Sequence, residues 1–448
     1  TQEILVKHQN LVNVSMKESE AREIDEVVIT GTGAQKKLTV TGAVTNVDVE
    51  VLKSNPTANL SNALAGNVSG VLAMQTSGQP GVNTSEFWIR GISTFGANSS
   101  ALVLVDGFER DLDEINIEDI ESFTVLKDAS TTAIYGSRGA NGVVLITTKH
   151  GKEGKIKINA KVETSYNART ITPEFADGYS YAMLMNEACI TRNQERIYQN
   201  DEMEILRLGL DPDLYPNVNW RDVILKDHVI NNQHHLSISG GGQSARYYMS
   251  LGILNSEALF KQDKSASKHD VNVNYHKYNF RTNIDADLTK TTLLSLNLEA
   301  VIKTQNAPGT GSSNKYLWES QANLPPTVVP VRYSNGQLPA YGTNLEDKSP
   351  YVRLNYMGYT TNETYSTKIN VGLSQDLGII TEGLSVRGLF SFSMNGAHIV
   401  DRHMNPEQYY ADPKDGRYLD GSLKTVRTVN KEDMTATQGS ASNRELYF

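Results

Sequence analysis

From residue 155 onward, hydrophobic and polar side chains alternate with a period of two. Ile156, Ile158 and Val162, for example, are separated by Lys157, Asn159 and Lys161. Because successive side chains of a β-strand point to opposite faces, this pattern predicts strands with one apolar and one polar face. The pattern predicts about eight such strands, around residues 156–162, 236–239, 247–253, 271–275, 294–302, 369–373, 386–394 and 446–448.

The connections between these strands alternate in length. Short turns are predicted near Gly240–Ser244, Thr289–Thr292 and Gln375–Gly383, and long connections over roughly 169–231, 256–268, 305–363 and 396–435. Tight turns on one side and long loops on the other are typical of transmembrane β-barrels. Tyrosines at strand ends favour the same interpretation: Tyr166, Tyr247, Tyr278 and Tyr365. A soluble all-β protein with one face packed on a core stays an alternative.

The first long connection contains a predicted amphipathic helix. Tyr181, Leu184, Met185 and Ala188 share one face at helical spacing. A structured outer loop of this kind either contacts a partner or packs only on its own barrel.

Residues 36–150 mix helices, strands and tight turns in a small space. The pattern predicts strands at Leu102–Val105, Asp119–Leu126 and Val143–Thr148, and helices at Asn59–Leu64 and Lys127–Tyr135. Many glycines separate these elements. This organisation predicts a compact α+β domain.

The N-terminal residues cannot form a core of their own. Residues 1–18 predict two short strands, Glu3–Val6 and Leu11–Ser15, which is typical of the end of a domain that begins upstream. Residues 19–35 are charged and then β-prone at Val27–Thr30. Such a segment gains order only by pairing with something else.

Composition excludes several classes of protein. The formal net charge of −9 argues against a nucleic-acid partner, because phosphate binding needs clustered Lys and Arg. The single cysteine, Cys189, excludes a disulfide framework and a cysteine-based zinc site. Apolar runs such as Ala101–Val105 are far shorter than the roughly 20 residues of a membrane helix.

No catalytic or metal-binding motif is evident. The sequence lacks a nucleophile elbow, a P-loop and an HExxH motif. His234 and His235 lie in a predicted strand and so point to opposite faces. The run Asp412–Gly416 lacks the later ligands of a calcium loop. We therefore expect neither an enzyme nor a cofactor or metal site.

Several motifs occur in a characteristic order. Asp25–Gly31 precedes Gln35–Lys37; Leu60–Gly66 follows; Ile89-Arg90-Gly91 and Leu104–Gly107 come next; and Val125–Ser130 leads to Ala133–Val143. Together they resemble the SusC/RagA-type TonB-dependent transporters of Bacteroidetes outer membranes. The resemblance is close over residues 1–168. One departure is Ile29-Thr30, where the family usually has valines.

The resemblance implies an antiparallel transmembrane β-barrel with an N-terminal α+β plug domain in its lumen. Plugged transporters use about 22 strands, so about eight are only the first part, and we expect a longer protein. The implied domains are the end of a carboxypeptidase-regulatory-like extension (1–18), a TonB-box linker (19–35), the plug (36–150) and the first barrel strands with long extracellular loops (151–448).

The implied function is TonB-dependent active import across the Gram-negative outer membrane. The substrate would be an oligosaccharide or oligopeptide, and the partners TonB with its inner-membrane motor proteins, a SusD-like surface lipoprotein and outer-membrane lipid. The implied TonB box comprises Asp25, Glu26, Val27, Val28, Ile29, Thr30 and Gly31. Alternatives are a metal-chelate receptor of the siderophore type, or a soluble or surface β-sandwich that serves in binding or adhesion.

Two further groups of plug residues are candidates for function. Polar and aromatic residues suited to sugars or peptides are Gln79, Asn83, Trp88, Phe95 and Asn98, although they lie in stretches that are equally typical of plain plug loops. Charged residues expected to form ion pairs within the plug or to the barrel, and so to tune plug release, are Arg90, Asp106, Glu121, Lys127, Asp128 and Arg138.

Overall fold

A computed structural model describes residues 27–30, 33–36, 44–54, 57–91, 100–170, 173–309 and 315–447. The strands predicted at Glu3–Val6 and Leu11–Ser15 lie outside these residues. The first described elements, β1 (Val27–Thr30) and β2 (Gly33–Lys36), pair with each other as an antiparallel hairpin.

The α+β region that follows is built on two small sheets. Its elements are β3 (Val44–Val47), α1 (Val49–Lys53), α2 (Leu60–Ala63), β4 (Val71–Gln75), β5 (Ser85–Ile89), β6 (Leu102–Val105), β7 (Phe108–Glu109), β8 (Ile120–Leu126), α3 (Ala129–Thr132) and β9 (Val143–Thr148). The larger sheet has the order β3-β8-β9-β6-β7, with β6 and β9 parallel, and β4 pairs with β5. The three predicted strands are confirmed.

The predicted helix over Lys127–Tyr135 is shorter than expected. The α-helical part is α3, and a 3-10 segment continues over Ala133–Gly139. Gly136 interrupts that segment with a φ of 58°, a conformation that glycine adopts without steric cost. We refer to residues 44–148 as the plug.

Both faces of the larger plug sheet are covered. Val103, Val105 and Val144 pack into one core with Phe123 and Leu52. Residues that alternate with them, Leu102, Leu104, Val143 and Leu145, pack into a second cluster on the opposite face. Strands buried on both faces read as continuous hydrophobic runs, which is why Leu102–Val105 contains no polar residue.

The rest of the chain forms one eight-stranded antiparallel sheet, here called the barrel wall. Its strands pair in chain order: β10 (Gly154–Ala168), β11 (His228–Gly241), β12 (Ala245–Glu257), β13 (Asn274–Thr289), β14 (Thr292–Pro308), β17 (Gly358–Asp376), β18 (Ser385–Asn405) and β21 (Glu432–Tyr447). The prediction of eight strands is confirmed, except that Val271 and Val273 precede β13. Within the described residues, β10 and β21 each pair on one edge only.

The strict alternation of connection lengths is also confirmed. Residues 242–244, 290–291 and 377–384 form short turns, whereas 169–227, 258–273, 309–357 and 406–431 are long. In an antiparallel sheet that pairs in chain order, all the long connections emerge at one end. We call this the loop end.

The two faces of the barrel wall differ sharply in polarity. One row of paired residues is apolar apart from a threonine: Ile158, Ile238, Met249, Thr282, Leu298, Ile369, Phe392 and Leu446. The neighbouring row, on the other face, is polar: Asn159, Ser237, Ser250, Arg281, Glu299, Lys368, Ser393 and Glu445.

The six central residues of the polar row, from Ser237 to Ser393, are buried on the side of the plug. Arg281 is 3% exposed and Lys368 is 4% exposed, whereas the apolar Ile158 is 65% exposed. A soluble sandwich buries its apolar face, and a membrane barrel turns that face to lipid and keeps a polar interior. The structure is therefore of the membrane-barrel type, and the soluble β-sandwich interpretation is wrong.

The long connections fold into helices and short strands of their own. These are α4 (Gly178–Thr191), α5 (Asn200–Leu208), α6 (Trp220–Ile224), α7 (Lys315–Asn323), β15 (Ala340–Tyr341), β16 (Asp347–Lys348), α8 (Pro350–Tyr356), β19 (Gln408–Tyr410) and β20 (Val426–Val429). No helix among the described residues combines the length and the apolar composition needed to cross a membrane.

The predicted helix in the first long connection exists, and three residues of its predicted apolar face, Tyr181, Met185 and Ala188, are half-buried. The buried side chains of α4 are Ala182, Asn186 and Cys189, whereas Leu184 is 53% exposed. Asn186 is held inside because its side chain donates to the Tyr198 carbonyl and accepts from the Tyr198 N–H. A hydrogen-bonded amide is thus buried on α4, whereas hydrophobicity alone predicts that Leu184 is buried there.

Candidate functional site

Four acidic side chains of the plug point at the barrel wall. Asp106, Glu114, Glu118 and Asp119 lie between β6 and the start of β8, and we call them the acidic ridge. Asp106 stands in a two-residue Asp-Gly turn, where its φ of 50° suits the short side chain. Its carboxylate accepts from the Thr148 N–H at 3.0 Å and from the Thr148 hydroxyl at 2.8 Å. These bonds fix the turn to β9.

Asp119 is the most deeply enclosed member of the ridge. It accepts hydrogen bonds from His235 Nε2 at 3.0 Å and from the Tyr248 hydroxyl at 2.8 Å, both on the barrel wall. Arg281 Nε lies 3.9 Å from the other carboxylate oxygen. Burial alone would raise the pKa of Asp119, but the His235 hydrogen bond and the Arg281 charge outweigh it and hold that pKa below its usual range.

Glu114 faces two barrel lysines. It forms an ion pair with Lys368 and lies 3.7 Å from Lys303 Nζ. Burial again acts to raise the pKa, and the two ammonium groups outweigh it, so the pKa of Glu114 is lowered. Two backbone carbonyls of the same segment are also bound, since Lys277 Nζ donates to the Asp113 carbonyl at 2.5 Å and Asn279 donates to that of Glu114 at 2.6 Å.

Arg281 joins the ridge to charges of the barrel wall itself. Its guanidinium lies 2.9 Å from Glu299 and 3.8 Å from Asp106. At the β10 edge, Lys161 pairs with Glu118 at 2.8 Å. Buried charges are tolerated when each has a partner. The interface therefore fixes the plug by polar contacts, and it could open into water without exposing a large apolar surface.

Of the six residues predicted to form ion pairs, Asp106 contacts the barrel. Arg90 pairs with Asp128, and Arg138 pairs with Glu109, within the plug. Glu121 lies 3.1 Å from Lys152 in the link to β10. Lys127 donates to the Ser69 carbonyl, and burial together with the Arg90 charge lowers its pKa. Their role in plug release stays a prediction.

Sequence reasoning did not identify most of the contacts between the ridge and the barrel. A signal was nevertheless present, because Lys277 and Arg281 occupy the polar parity of a strand whose other parity carries Tyr278 and Phe280. Basic residues at inward positions of a barrel strand need a partner inside. The dense acidic run from Asp106 to Asp119 supplies it.

A cavity of about 1870 Å³ lies between the plug and the barrel wall at the loop end. Ten amide side chains line it. Four come from the plug: Asn62, Gln75, Gln79 and Asn83. Six come from the barrel wall: Asn167, Asn231, Asn232, Gln233, Gln305 and Asn362. Amides both donate and accept hydrogen bonds, so this wall suits a polar ligand.

The predicted substrate-contact residues divide into three groups. Gln79 and Asn83 line the cavity, and the Asn83 carbonyl groups also accept from Asn59 and Asn62. Trp88 lies in β5 opposite Leu72 and is not among the lining residues. Phe95 and Asn98 lie outside the described residues. Three aromatic residues that line the cavity were not predicted as substrate contacts, Tyr166, Phe260 and Trp318.

The implied TonB box is described in part. Val27, Val28, Ile29 and Thr30 form β1, whose register with β2 runs from Val27 opposite Lys36 to Thr30 opposite Gly33. Asp25, Glu26 and Gly31 lie outside the described residues. The assignment of these seven residues as a TonB box stays a prediction.

The described residues contain no group of three or more His, Cys, Asp or Glu side chains arranged to hold a metal ion. His234 and His235 lie on opposite faces of β11, as the alternation of a strand requires, and His235 is committed to Asp119.

Known proteins resemble this chain in both of its parts. Residues 36–143 match the family described as TonB-dependent Receptor Plug Domain. The TonB-dependent receptor P39 of Formosa agariphila is 34% identical over 325 residues, covering 72% of this chain and 29% of that protein. The TonB-dependent receptor SusC of Bacteroides thetaiotaomicron is 34% identical over 261 residues, covering 56% of this chain and 24% of SusC.

Solved structures extend the similarity to the fold. The RagAB peptide importer in its open-open state matches with a TM-score of 0.66 and 25% identity, over 85% of this chain and 44% of that chain. The chain thus spans less than half of the importer chain and under a third of the curated relatives it matches. These matches bear out the resemblance to SusC/RagA-type TonB-dependent transporters, and they share the fold of a plug followed by antiparallel barrel strands.

Proposed function

We propose that this chain is the plug and the first barrel strands of an active importer in the outer membrane of a Gram-negative bacterium. TonB would supply the energy, and the substrate would be an oligosaccharide or oligopeptide taken up together with a SusD-like lipoprotein. Relatives named as TonB-dependent receptors support the TonB dependence. No catalytic step is part of the proposal.

The observation that carries the proposal is the polar interface between plug and barrel wall. A plug that must move during transport has to be held firmly and yet be able to separate from the barrel wall. The ion pairs of Glu114 and Asp119 hold it by directional contacts. A hydrophobic interface would instead resist separation in proportion to the apolar area exposed.

The point where force would be applied is β1. A protein partner can add a strand to an extended segment through main-chain hydrogen bonds. β1 is paired only with β2 in the described residues, which leaves its second edge for such a partner. An isolated two-stranded hairpin is marginally stable in water, so pulling on β1 would open it at little cost.

The substrate would enter from the loop end. The cavity lies at that end between plug and barrel wall, and three of the long connections contribute lining residues, among them Arg169, Phe260 and Trp318. A surface lipoprotein that closes over the barrel would contact those connections.

Deleting Asp25–Gly31 in the full-length protein tests the proposal. We expect growth on the imported polymer to stop while binding of that polymer to the cell surface persists, because the deletion removes the coupling segment and leaves the cavity. Deletion of the seven preceding residues, Glu18–Ile24, is the matched control and should retain uptake. Uptake that survives the Asp25–Gly31 deletion would contradict the proposal, and box-dependent uptake of a ferric chelate would favour the metal-chelate alternative.

A further inference from the structure

The short turn between β17 and β18 carries apolar side chains where the other short turns carry none. It contains Leu377, Ile379, Ile380 and Leu384, whereas residues 242–244 and 290–291 are glycine or polar. Ile379 is 96% exposed and Ile380 is 70% exposed. All three turns lie at the same end of the barrel wall, opposite the loop end, so the difference belongs to this turn and not to that end. We call residues 377–384 the apolar turn.

The apolar turn is ordered by its own backbone and not by burial of its isoleucines. The Leu377 N–H donates to the Leu384 carbonyl at 2.9 Å, and the Ile380 N–H donates to the Leu377 carbonyl at 2.8 Å. Gly383 has a φ of 80°, a conformation that glycine adopts without steric strain. These backbone bonds do not depend on the side chains at the two exposed positions. Folding of the turn therefore does not explain its isoleucines.

The charged residues of the turn and its flank lie together on the other side. Asp376 and Glu382 line a cleft of about 510 Å³, together with Lys290 of the neighbouring turn. Asp376 has the parity of Lys368 on β17, so the cleft lies on the polar face of the barrel wall. Of the four apolar residues of the turn, only Leu384 lines this cleft. The two isoleucines are not part of this polar surface.

The apolar face of the barrel wall reaches the ends of the strands beside the turn. Val386 has the parity of Phe392 on β18 and is 57% exposed. Leu373 has the parity of Ile369 on β17 and is 48% exposed. One strand residue spans about 3.4 Å, so Val386 lies about 7 Å along the chain from the turn. The apolar turn therefore continues a surface that faces lipid in a membrane barrel.

We propose that the apolar turn inserts into the membrane, with Ile379 and Ile380 among the acyl chains just below the headgroups of the leaflet that faces the periplasm. Short turns of outer-membrane barrels lie at the periplasmic end. Moving an exposed aliphatic side chain from water into hydrocarbon is favourable in proportion to its apolar area. Asp376 and Glu382 stay with the polar cleft, so the insertion buries no charge.

An insertion of this kind sets how deep this side of the barrel wall sits in the bilayer. It rests on the proposed function only for the membrane in which the barrel lies, and it is independent of what the protein imports.

The test is site-directed spin labelling of the full-length protein in vesicles of palmitoyl-oleoyl phosphatidylethanolamine and phosphatidylglycerol. Cys189, which is buried, and any cysteine elsewhere in the full-length protein are first replaced by serine. A single label is then attached through Ile379→Cys or Ile380→Cys. Its collision rates are measured with oxygen, which concentrates in lipid, and with a water-soluble nickel chelate. Leu373→Cys is the control on the lipid-facing surface, and Gln243→Cys is the control in an exposed polar turn.

We expect the labels in the apolar turn to collide with oxygen as often as the Leu373 label does. They should be protected from the nickel chelate several-fold relative to the Gln243 label. Because all four sites carry the same label, the preference of the label itself cancels in this comparison.

Collision rates like those of the Gln243 label would place the turn in water and overturn the inference. Protection from both reagents would show that a protein covers the turn, and it would overturn the inference equally. The two proposals fail separately. Uptake that does not need Asp25–Gly31 contradicts the import proposal alone, whereas a turn in water beside a Leu373 label in lipid contradicts the insertion alone.

Discussion

The Asp119 carboxylate of the plug accepts a hydrogen bond of 3.0 Å from His235 of the barrel wall. The two residues are 3% and 6% exposed at their side chains, and Tyr248 donates to the same carboxylate oxygen. Arg281 approaches the other oxygen at 3.9 Å. A single plug residue thus satisfies polar groups on three adjacent barrel strands. Among the residues of the acidic ridge, its replacement should therefore destabilise the contact between plug and barrel wall most.

Asp119→Asn should therefore destabilise the complex of plug and barrel. The amide keeps the size of the side chain but removes the negative charge that faces Arg281, and breaking a buried charge pair costs about 3 kcal/mol. Thermal unfolding in detergent should show a lower midpoint. Asp433→Asn, at an exposed carboxylate paired with Lys431, is the control and should change the midpoint little. Equal midpoints for the two variants would contradict a structural role for the Asp119 contacts.

Acid should weaken the contact between the plug and the barrel wall. The pKa values of Glu114, Glu118 and Asp119 are all lowered in the folded protein. Groups with depressed folded pKa values stabilise the protein above their unfolded pKa, near 4, and this contribution is lost as the pH falls through the folded pKa. The unfolding midpoint should thus fall as the pH is lowered from about 6 to about 3.

The burial of Asp113 works in the opposite direction, because it raises that pKa and favours the protonated side chain at low pH. Three carboxyl groups have lowered pKa values and only Asp113 among the four has a raised one, so the unfolding midpoint should still fall as the pH is lowered. The double variant Glu114→Gln/Asp119→Asn should show a shallower decline, since two of the responsible carboxylates are gone. A decline as steep as that of the wild type would show that other groups cause it.

Arg417 connects three long connections at the loop end. Its guanidinium binds Asp211 at 2.6 Å, and the neighbouring Asp213 accepts from the Ser334 N–H and hydroxyl at 2.7 and 2.6 Å. Arg417→Ala should release the connection 406–431, because charge-assisted hydrogen bonds contribute about 1.5–3 kcal/mol. Limited proteolysis followed by mass spectrometry should detect cleavage within residues 412–424 about tenfold faster.

The matched control for Arg417 is Arg427→Ala in the same connection. Arg427 is largely exposed and lies 3.7 Å from Glu407, so its ion pair should contribute little. If both variants are cleaved at the rate of the wild type, the Arg417 contacts do not hold the loops together.

Local patterns predicted the elements of the barrel wall, because the alternation of polar and apolar residues within one strand shows which residues share a face. Contacts between distant segments could not be predicted in the same way. Glu114 and Lys368 are separated by 254 residues, and their pairing depends on the register of every strand between them. Helix α4 illustrates a second reason, since Asn186 is buried through hydrogen bonds to Tyr198 that hydrophobicity does not encode.

The sequence by itself determined the eight strands, the alternation of short turns and long connections, and the resemblance to the TonB-dependent transporters, since each depends on neighbours along the chain. Tertiary structure alone decided that the acidic ridge meets the basic residues of β13 and β17, and that Trp318 and Asn362 line one cavity. The physical reason is that a buried charge or amide is stabilised by whatever group the fold brings within about 3 Å, and distance in space is fixed by packing.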